Sequence, residues 1–147
     1  MWLTPDEDGV AHGHDTRIRR AGSIVVLLVG TLIASGCRES EPPNPQALSQ
    51  CLQKAQVDVS TNREDMDLVA EGAGVGAVVA DWKKNRANIV IERSESDAER
   101  TEARYRPFFE AFGGNPDETV KRKGATVVAY DKVPTETETE TVSDCLS

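Results

Sequence analysis

The groups in this 147-residue chain that could do chemistry are three cysteines, two histidines, a scatter of carboxylates and two short basic runs. Their spacing narrows what that chemistry can be. From Cys37 onward the chain has no histidine, since His12 and His14 both lie upstream. Serine–histidine and cysteine–histidine nucleophilic catalysis, histidine-ligated zinc and histidine acid–base work are therefore excluded for that part. His12-Gly13-His14 hints at metal binding, but a metal site needs further ligands that nothing nearby supplies. No metal and no cofactor is implied. Glu64, Asp65, Asp67 and Glu71 could offer oxygen ligands to calcium, yet the alternating order, central glycine and closing bidentate Glu of a calcium loop are missing. Solvated loop charges are the better account. Gly72-Ala73-Gly74-Val75-Gly76 lacks the strand before it and the helix after it that a phosphate-cradling loop requires, so it reads as a flexible lead into a strand.

Cys37 is a different matter. Arg17, Arg19 and Arg20 precede an uncharged apolar run from Ile24 to Ala34, and Ala34-Ser35-Gly36 then lead into the cysteine. A secretory signal has this order: positive residues, an apolar stretch of about 7–15, then small residues. The ending resembles the bacterial lipoprotein signal, in which the cysteine receives a diacylglyceryl group, commonly with added palmitate, and becomes the mature N-terminus. Ala34 stands three residues before the cysteine, where leucine is usual. An uncleaved anchor would need roughly 20 apolar residues. Simple cleavage and release, and a buried core helix, are the other competing readings. The polar, acidic leader Met1–Thr16 is more than a compact signal needs, and fits a translation start further downstream.

Residues 1–36 are thus expected to be leader and signal, 37–44 a lipidated cysteine and polar tether, and 45–147 a single domain. The 111 residues from Cys37 suffice for one small domain. They carry 14 basic against 21 acidic residues, a net charge of −7. An acidic surface repels nucleic-acid phosphates and gives little grip on anionic head groups, so nucleic acid is not an expected partner. With Cys37 lipidated, Cys51 and Cys145 form an even pair in an oxidising compartment, most simply one disulfide. A redox-active pair would prefer Cys-x-x-Cys spacing.

The elements that must position these groups follow from periodicity. Asn44-Pro45 looks like a helix start, and Leu48, Cys51, Leu52 and Ala55 share one apolar helical face. Val142, Cys145 and Leu146 repeat the spacing in a helix expected from Pro134-Thr135, so both cysteines point to the core. Between them, residues 75–82 and 87–93 flank the polar turn 83–86 as a hairpin, and 119–123 and 125–131 flank Gly124 as a second. Thr126, Val128 and Tyr130 share one face of the last strand and Val127 and Ala129 the other, as suits a central strand. A helix opened by the capping box Ser96-Asp97-Ala98-Glu99 links the hairpins. It carries Ala98, Thr101, Tyr105, Phe108, Phe109 and Phe112, with a kink expected at Pro107 and an end at Gly113-Gly114. All three phenylalanines of the chain lie here and are expected in the core. Residues 56–73 hold Val57, Val59, Leu68 and Val69, which could make a further short strand and turn. The expected fold class is α+β: a small four-stranded, mostly antiparallel sheet with helices packed on one face, and one disulfide.

Lys83, Lys84 and Arg86 in one turn, and Lys121, Arg122 and Lys123 near the other, are two basic clusters on an acidic protein. If both hairpin ends meet at one edge, they could bind an anionic polymer of the cell envelope. In order along the chain, Cys51-Leu52, Ile89-Val90-Ile91…Ser96-Asp97-Ala98-Glu99, Tyr105, Phe112-Gly113, Arg122-Lys123-Gly124…Val127-Val128-Ala129-Tyr130-Asp131 and Cys145-Leu146 resemble small extracytoplasmic lipoproteins of high-GC Gram-positive bacteria, whose function is not established. The resemblance implies a compartment and a fold but no catalytic residue. The leading expectation is a protein anchored by lipid on Cys37 to the extracytoplasmic face of the cell membrane. There it would carry a non-catalytic binding domain for an envelope protein or polymer. The rival is a small carboxylate-based hydrolase of envelope glycans, which needs two acids about 5–10 Å apart in a cleft.

Overall fold

The computed structural model describes residues 42–147. The expected signal, the expected lipidation site at Cys37, His12 and His14, and all but the last three residues of the expected tether lie outside the described residues. Among the described residues, no helix is long and apolar enough to cross a membrane.

Helix α1 (Pro45–Lys54) begins as its sequence dictates. The Asn44 side chain accepts a hydrogen bond from the Gln46 N–H at 2.8 Å, and proline fills the first helical position, where no donor is needed. Its end is less obvious. Gln56 takes the left-handed conformation, φ 63°, while Val57 N–H reaches Leu52 O and Gln56 N–H reaches Gln53 O. That pair of bonds is a Schellman closure, a position glycine usually fills. It turns the chain into the short strand β1 (Asp58–Ser60).

Two single 3-10 turns (63–65 and 70–72) lead to β2 (Gly76–Asp81), paired antiparallel with β3 (Arg86–Ile91). Helix α2 (Glu95–Ala111) and the one-turn helix α3 (Pro116–Thr119) follow. Strands β4 (Val120–Lys123) and β5 (Thr126–Tyr130) turn on Gly124, whose φ of +56° suits a residue without a Cβ. Helix α4 (Glu136–Cys145) closes the chain. It is capped by Thr135, whose hydroxyl accepts from Glu138 N–H while the Glu138 carboxylate accepts from Thr135 N–H.

The sheet has five strands rather than four, in the order β1-β2-β3-β5-β4, and every neighbouring pair is antiparallel. The fifth is β1, from the segment that periodicity could not place. Three residues are too few for an alternation to be recognised, and its register (Val59 opposite Ala80) is set by β2. The helices also occupy both faces, not one. Leu48, Leu52 and Val142 from α1 and α4 pack on Val78, Ile89, Val128 and Tyr130. Ala98 and Tyr105 from α2 pack with Ala70 on Ala77, Val90, Val127 and Ala129. Alternation in β3 and β5 is apolar on both sides, which is what a two-sided cover requires.

The α1–α4 face carries the disulfide. Cys51 and Cys145 are bonded with their Cα atoms 5.6 Å apart, joining the first described helix to the last. In a chain-entropy account a 94-residue closure is worth roughly 4–5 kcal/mol. The expected pairing and α+β class are present in the structure.

Candidate functional site

Helix α2 departs most from expectation, beginning with its cap. Ser94, not Ser96, accepts from the Asp97 N–H, so the helix starts one turn-half earlier than its capping-box pattern indicates. The inner face is Ala98, Thr101 and Tyr105, all buried. The phenylalanines are not. Phe109 is half-buried, Phe108 is 58% exposed and Phe112 77% exposed. This overturns the expected aromatic core, and the reason is length. At 1.5 Å per residue, 17 helical residues span about 25 Å, whereas a five-residue strand spans roughly 17 Å. The last turns of α2 run past the sheet, through Pro107, and their side chains have little beneath them.

The exposed rings gather on one another. Phe108 lies 4.8 Å from Phe112 and meets Phe109 edge-on at 5.8 Å, centroid to centroid. Leu68, 87% exposed, joins them from the loop between the two 3-10 turns. That loop is held by Asp67. Its carboxylate accepts from Val69 N–H at 2.9 Å, Ala70 N–H at 2.8 Å and the Tyr105 hydroxyl at 3.0 Å. Burial, then the adjacent Asp67 charge, push the Tyr105 phenol far above its ordinary value, so it stays a donor. The clamp draws Ala70 into the core and leaves Leu68 outside. Between loop and helix opens a groove of about 460 Å³ lined by Met66, Leu68, Val69, Tyr105 and Phe108 with the charged Asp67, Glu71 and Arg104, within the size range of ligand pockets. Two larger hollows, about 560 and 630 Å³, border the chain at Asn44 instead.

Arg104 also lines a second, polar pocket of about 350 Å³ with Arg93, Arg100, Thr101 and Glu92. The buried Glu92 carboxylate is engaged on both oxygens, by the Thr101 hydroxyl at 2.6 Å and the Gly74 N–H at 2.8 Å. A Cβ at Gly74 would stand 2.7 Å from Glu92 Oε2, so the glycine run serves close approach to this acid rather than a phosphate.

The basic clusters of the two hairpins do not combine. The register puts Ala87 opposite Tyr130 and Ile91 opposite Thr126, so the turn at Lys83-Lys84 and the turn at Gly124 lie at opposite ends of the sheet. Arg86 donates to Asp65 O at 2.5 Å and pairs with Asp81 at 3.8 Å. Arg122 pairs with Glu102 at 2.9 Å and Glu99 at 3.5 Å on α2, and the Lys121 ammonium donates to Asp117 O. Lys83, Lys84 and Lys123 remain exposed. The acids first weighed as calcium ligands are dispersed too. Asp65 accepts from the Ser60 hydroxyl, Asp67 forms the clamp, and Glu71 stands 4.0 Å from Arg63. Among the described residues no group of three or more His, Cys, Asp or Glu side chains could hold a metal ion.

Arg100 and Arg104 escaped the sequence reading, and Leu68 was read only as part of a possible short strand and turn. The signal was there as a four-residue step, since Arg100, Arg104, Phe108 and Phe112 form one i, i+4 row of α2. No family model, curated protein or solved structure matches the chain.

Proposed function

We propose that this chain is a lipid-anchored binding module of the cell envelope. It is held to the extracytoplasmic face through Cys37 and the polar residues after it, and uses the α2 row and the Leu68 loop as its recognition surface. The observation that carries the reading is the joint exposure of Phe108, Phe112 and Leu68 beside a groove on an otherwise charged, acidic surface. Isolated exposed apolar residues are ordinary, but a contiguous aromatic patch rimmed by polar groups marks a contact site. The signal-like sequence ending in Cys37 and the Cys51–Cys145 bond both suit an oxidising compartment. The alternative, a carboxylate-based glycan hydrolase, would have to use the two acids of the groove, Asp67, which is engaged by three donors, and Glu71, which stands 4.0 Å from Arg63.

The test has two parts. Intact mass of the protein taken from its native membrane should give a chain starting at Cys37 with a lipid adduct and two thiols reactive only after reduction. An unmodified chain starting upstream would sink the anchor. For the surface, the neutral dye Nile red should brighten on the native protein, and Leu68→Ser with Phe108→Ser should abolish the signal without moving the unfolding midpoint by more than a degree or two. Equal dye binding by the double variant would remove this face from consideration.

A further inference from the structure

The α2 row changes character halfway along. Arg100 and Arg104 line the polar pocket, Phe108 lines the groove with Phe112 packed beside it outside the lining, and Arg104 belongs to the walls of both cavities. The polar pocket has cationic capacity to spare. Its Glu92 is satisfied by Thr101 and Gly74, and Asp97 pairs with Arg100. Arg93 makes one bond, from Nε to Gly74 O at 3.1 Å. Arg104, among the described residues, makes no side-chain hydrogen bond or ion pair. A guanidinium is a planar multiple donor matched to phosphate and carboxylate oxygens. Arg104 is exposed and free to donate, while the two acids of the groove it borders are engaged elsewhere: Asp67 by three donors and Glu71 by Arg63 at 4.0 Å.

We infer that the two cavities together form one site for an anionic lipid, with its phosphate head on Arg104, Arg100 and Arg93 and its acyl chain laid along Leu68, Phe108 and Phe112. This deepens the binding-module reading and rests on it. A neutral lipid would satisfy only the apolar half, and a zwitterionic phosphocholine lipid would bring its phosphate together with a quaternary ammonium that the three arginines repel. A free oxyanion would satisfy only the polar half. The joint at Arg104 requires both in one molecule.

Calorimetric titration of the purified protein with single-chain lipids below their micelle concentration separates these cases. Lysophosphatidylglycerol should bind saturably, one per chain, and at least tenfold more tightly than lysophosphatidylcholine of the same chain length or than inorganic phosphate. Arg104→Gln should weaken the anionic lipid about tenfold and the choline lipid markedly less, because losing the guanidinium also relieves its repulsion of the choline ammonium, and Arg100→Gln should act in the same direction. Phe108→Ser should weaken both lipids about tenfold. Equal binding of the two lipids, insensitive to Arg104→Gln but lost in Phe108→Ser, overturns the anionic-lipid inference and leaves the apolar surface standing. Phosphate binding as tight as the lysolipid reduces the site to an oxyanion pocket and also overturns it. Lipid and Nile red binding both untouched by Phe108→Ser with Leu68→Ser would defeat the recognition surface itself.

Discussion

The two faces of the sheet are built from different materials. On the α1–α4 side, leucines, isoleucines, valines and Tyr130 fill the space, and a disulfide ties the two covering helices together. On the α2 side half of the buried cluster is alanine: Ala70, Ala77, Ala98 and Ala129 among eight residues. Around them lie buried polar groups, namely Glu92, Thr101, Thr119 and Asn88, whose Oδ1 has no partner. Tyr105 of α2 lies in this core and Phe109 at its edge, while Phe108 and Phe112 point away from it. Apolar burial stabilises in proportion to area, so the first face carries more of the fold. The second leaves Phe108 and Phe112 exposed.

Breaking the stapled face should therefore have the largest effect. Replacing both bridged cysteines, Cys51→Ala with Cys145→Ala, is expected to cost roughly 3–5 kcal/mol and lower the unfolding midpoint by about 10–20 °C. A calorimetric scan beside the oxidised parent reads this directly. A loss below about 1 kcal/mol would mean that packing of Leu48, Leu52 and Val142 already holds the helices, and that the asymmetry between faces is not one of stability.

The α2 side should break more gently and in a particular place. Tyr105→Phe removes one hydroxyl from the Asp67 clamp and leaves the bonds from Val69 and Ala70 intact. The expected cost is about 1–2 kcal/mol, as for a hydrogen bond to a charged acceptor. Amide exchange should quicken in residues 66–72 ahead of the strands, because this bond fastens the loop to α2. Uniform acceleration across β2, β3 and β5 would show that the clamp supports the whole face rather than the loop that presents Leu68.

These contrasts mark how far the sequence could be read. The cap of α1, the start of α4, both hairpins and the cysteine pair were legible because each rests on local chemistry or spacing: Asn44-Pro45, the Val142, Cys145 and Leu146 face after Pro134-Thr135, Gly124, and an even thiol count. The two-sided cover was also half visible, since Val127 and Ala129 are as apolar as Val128 and Tyr130. What failed was non-local. Strand β1 exists because β2 offers an edge, and Gln56 closes α1 where glycine was the expected signal. The outward turn of Phe108 and Phe112 depends on where the sheet stops, and helical periodicity carries no information about that. The paired basic turns failed as a joint site for the same reason, because only the register of β3 with β5 sets their ends apart.

The smallest effects distinguish two acids near the shared end of β3 and β5. Burial would raise the Glu138 carboxyl, but bonds from the Thr135 N–H, the Asn85 amide and the Thr135 hydroxyl overcome it and hold Glu138 below its ordinary value. Asp131 goes the other way: burial raises it, Asp81 and Asp67 add repulsion, and Arg86 and Lys132 only partly offset them. The signs for stability are opposite. A depressed carboxyl stabilises the fold above its unfolded value of about 4.5, and that contribution is lost as pH falls through the lower folded value. A raised carboxyl is a mild liability at neutral pH, relieved as the folded protein takes up its proton. Glu138→Gln should thus lower the midpoint at pH 7, with a gap that narrows toward pH 3, because it removes the charge that ties the first hairpin's turn to the start of α4. Asp131→Asn should raise the midpoint slightly at pH 7 and leave it unchanged at pH 3. If both variants shift it in the same direction, Asp131 is stabilised by Arg86 more than it is penalised by burial, and the acidic group around Arg86 belongs with the stabilising contacts of the fold.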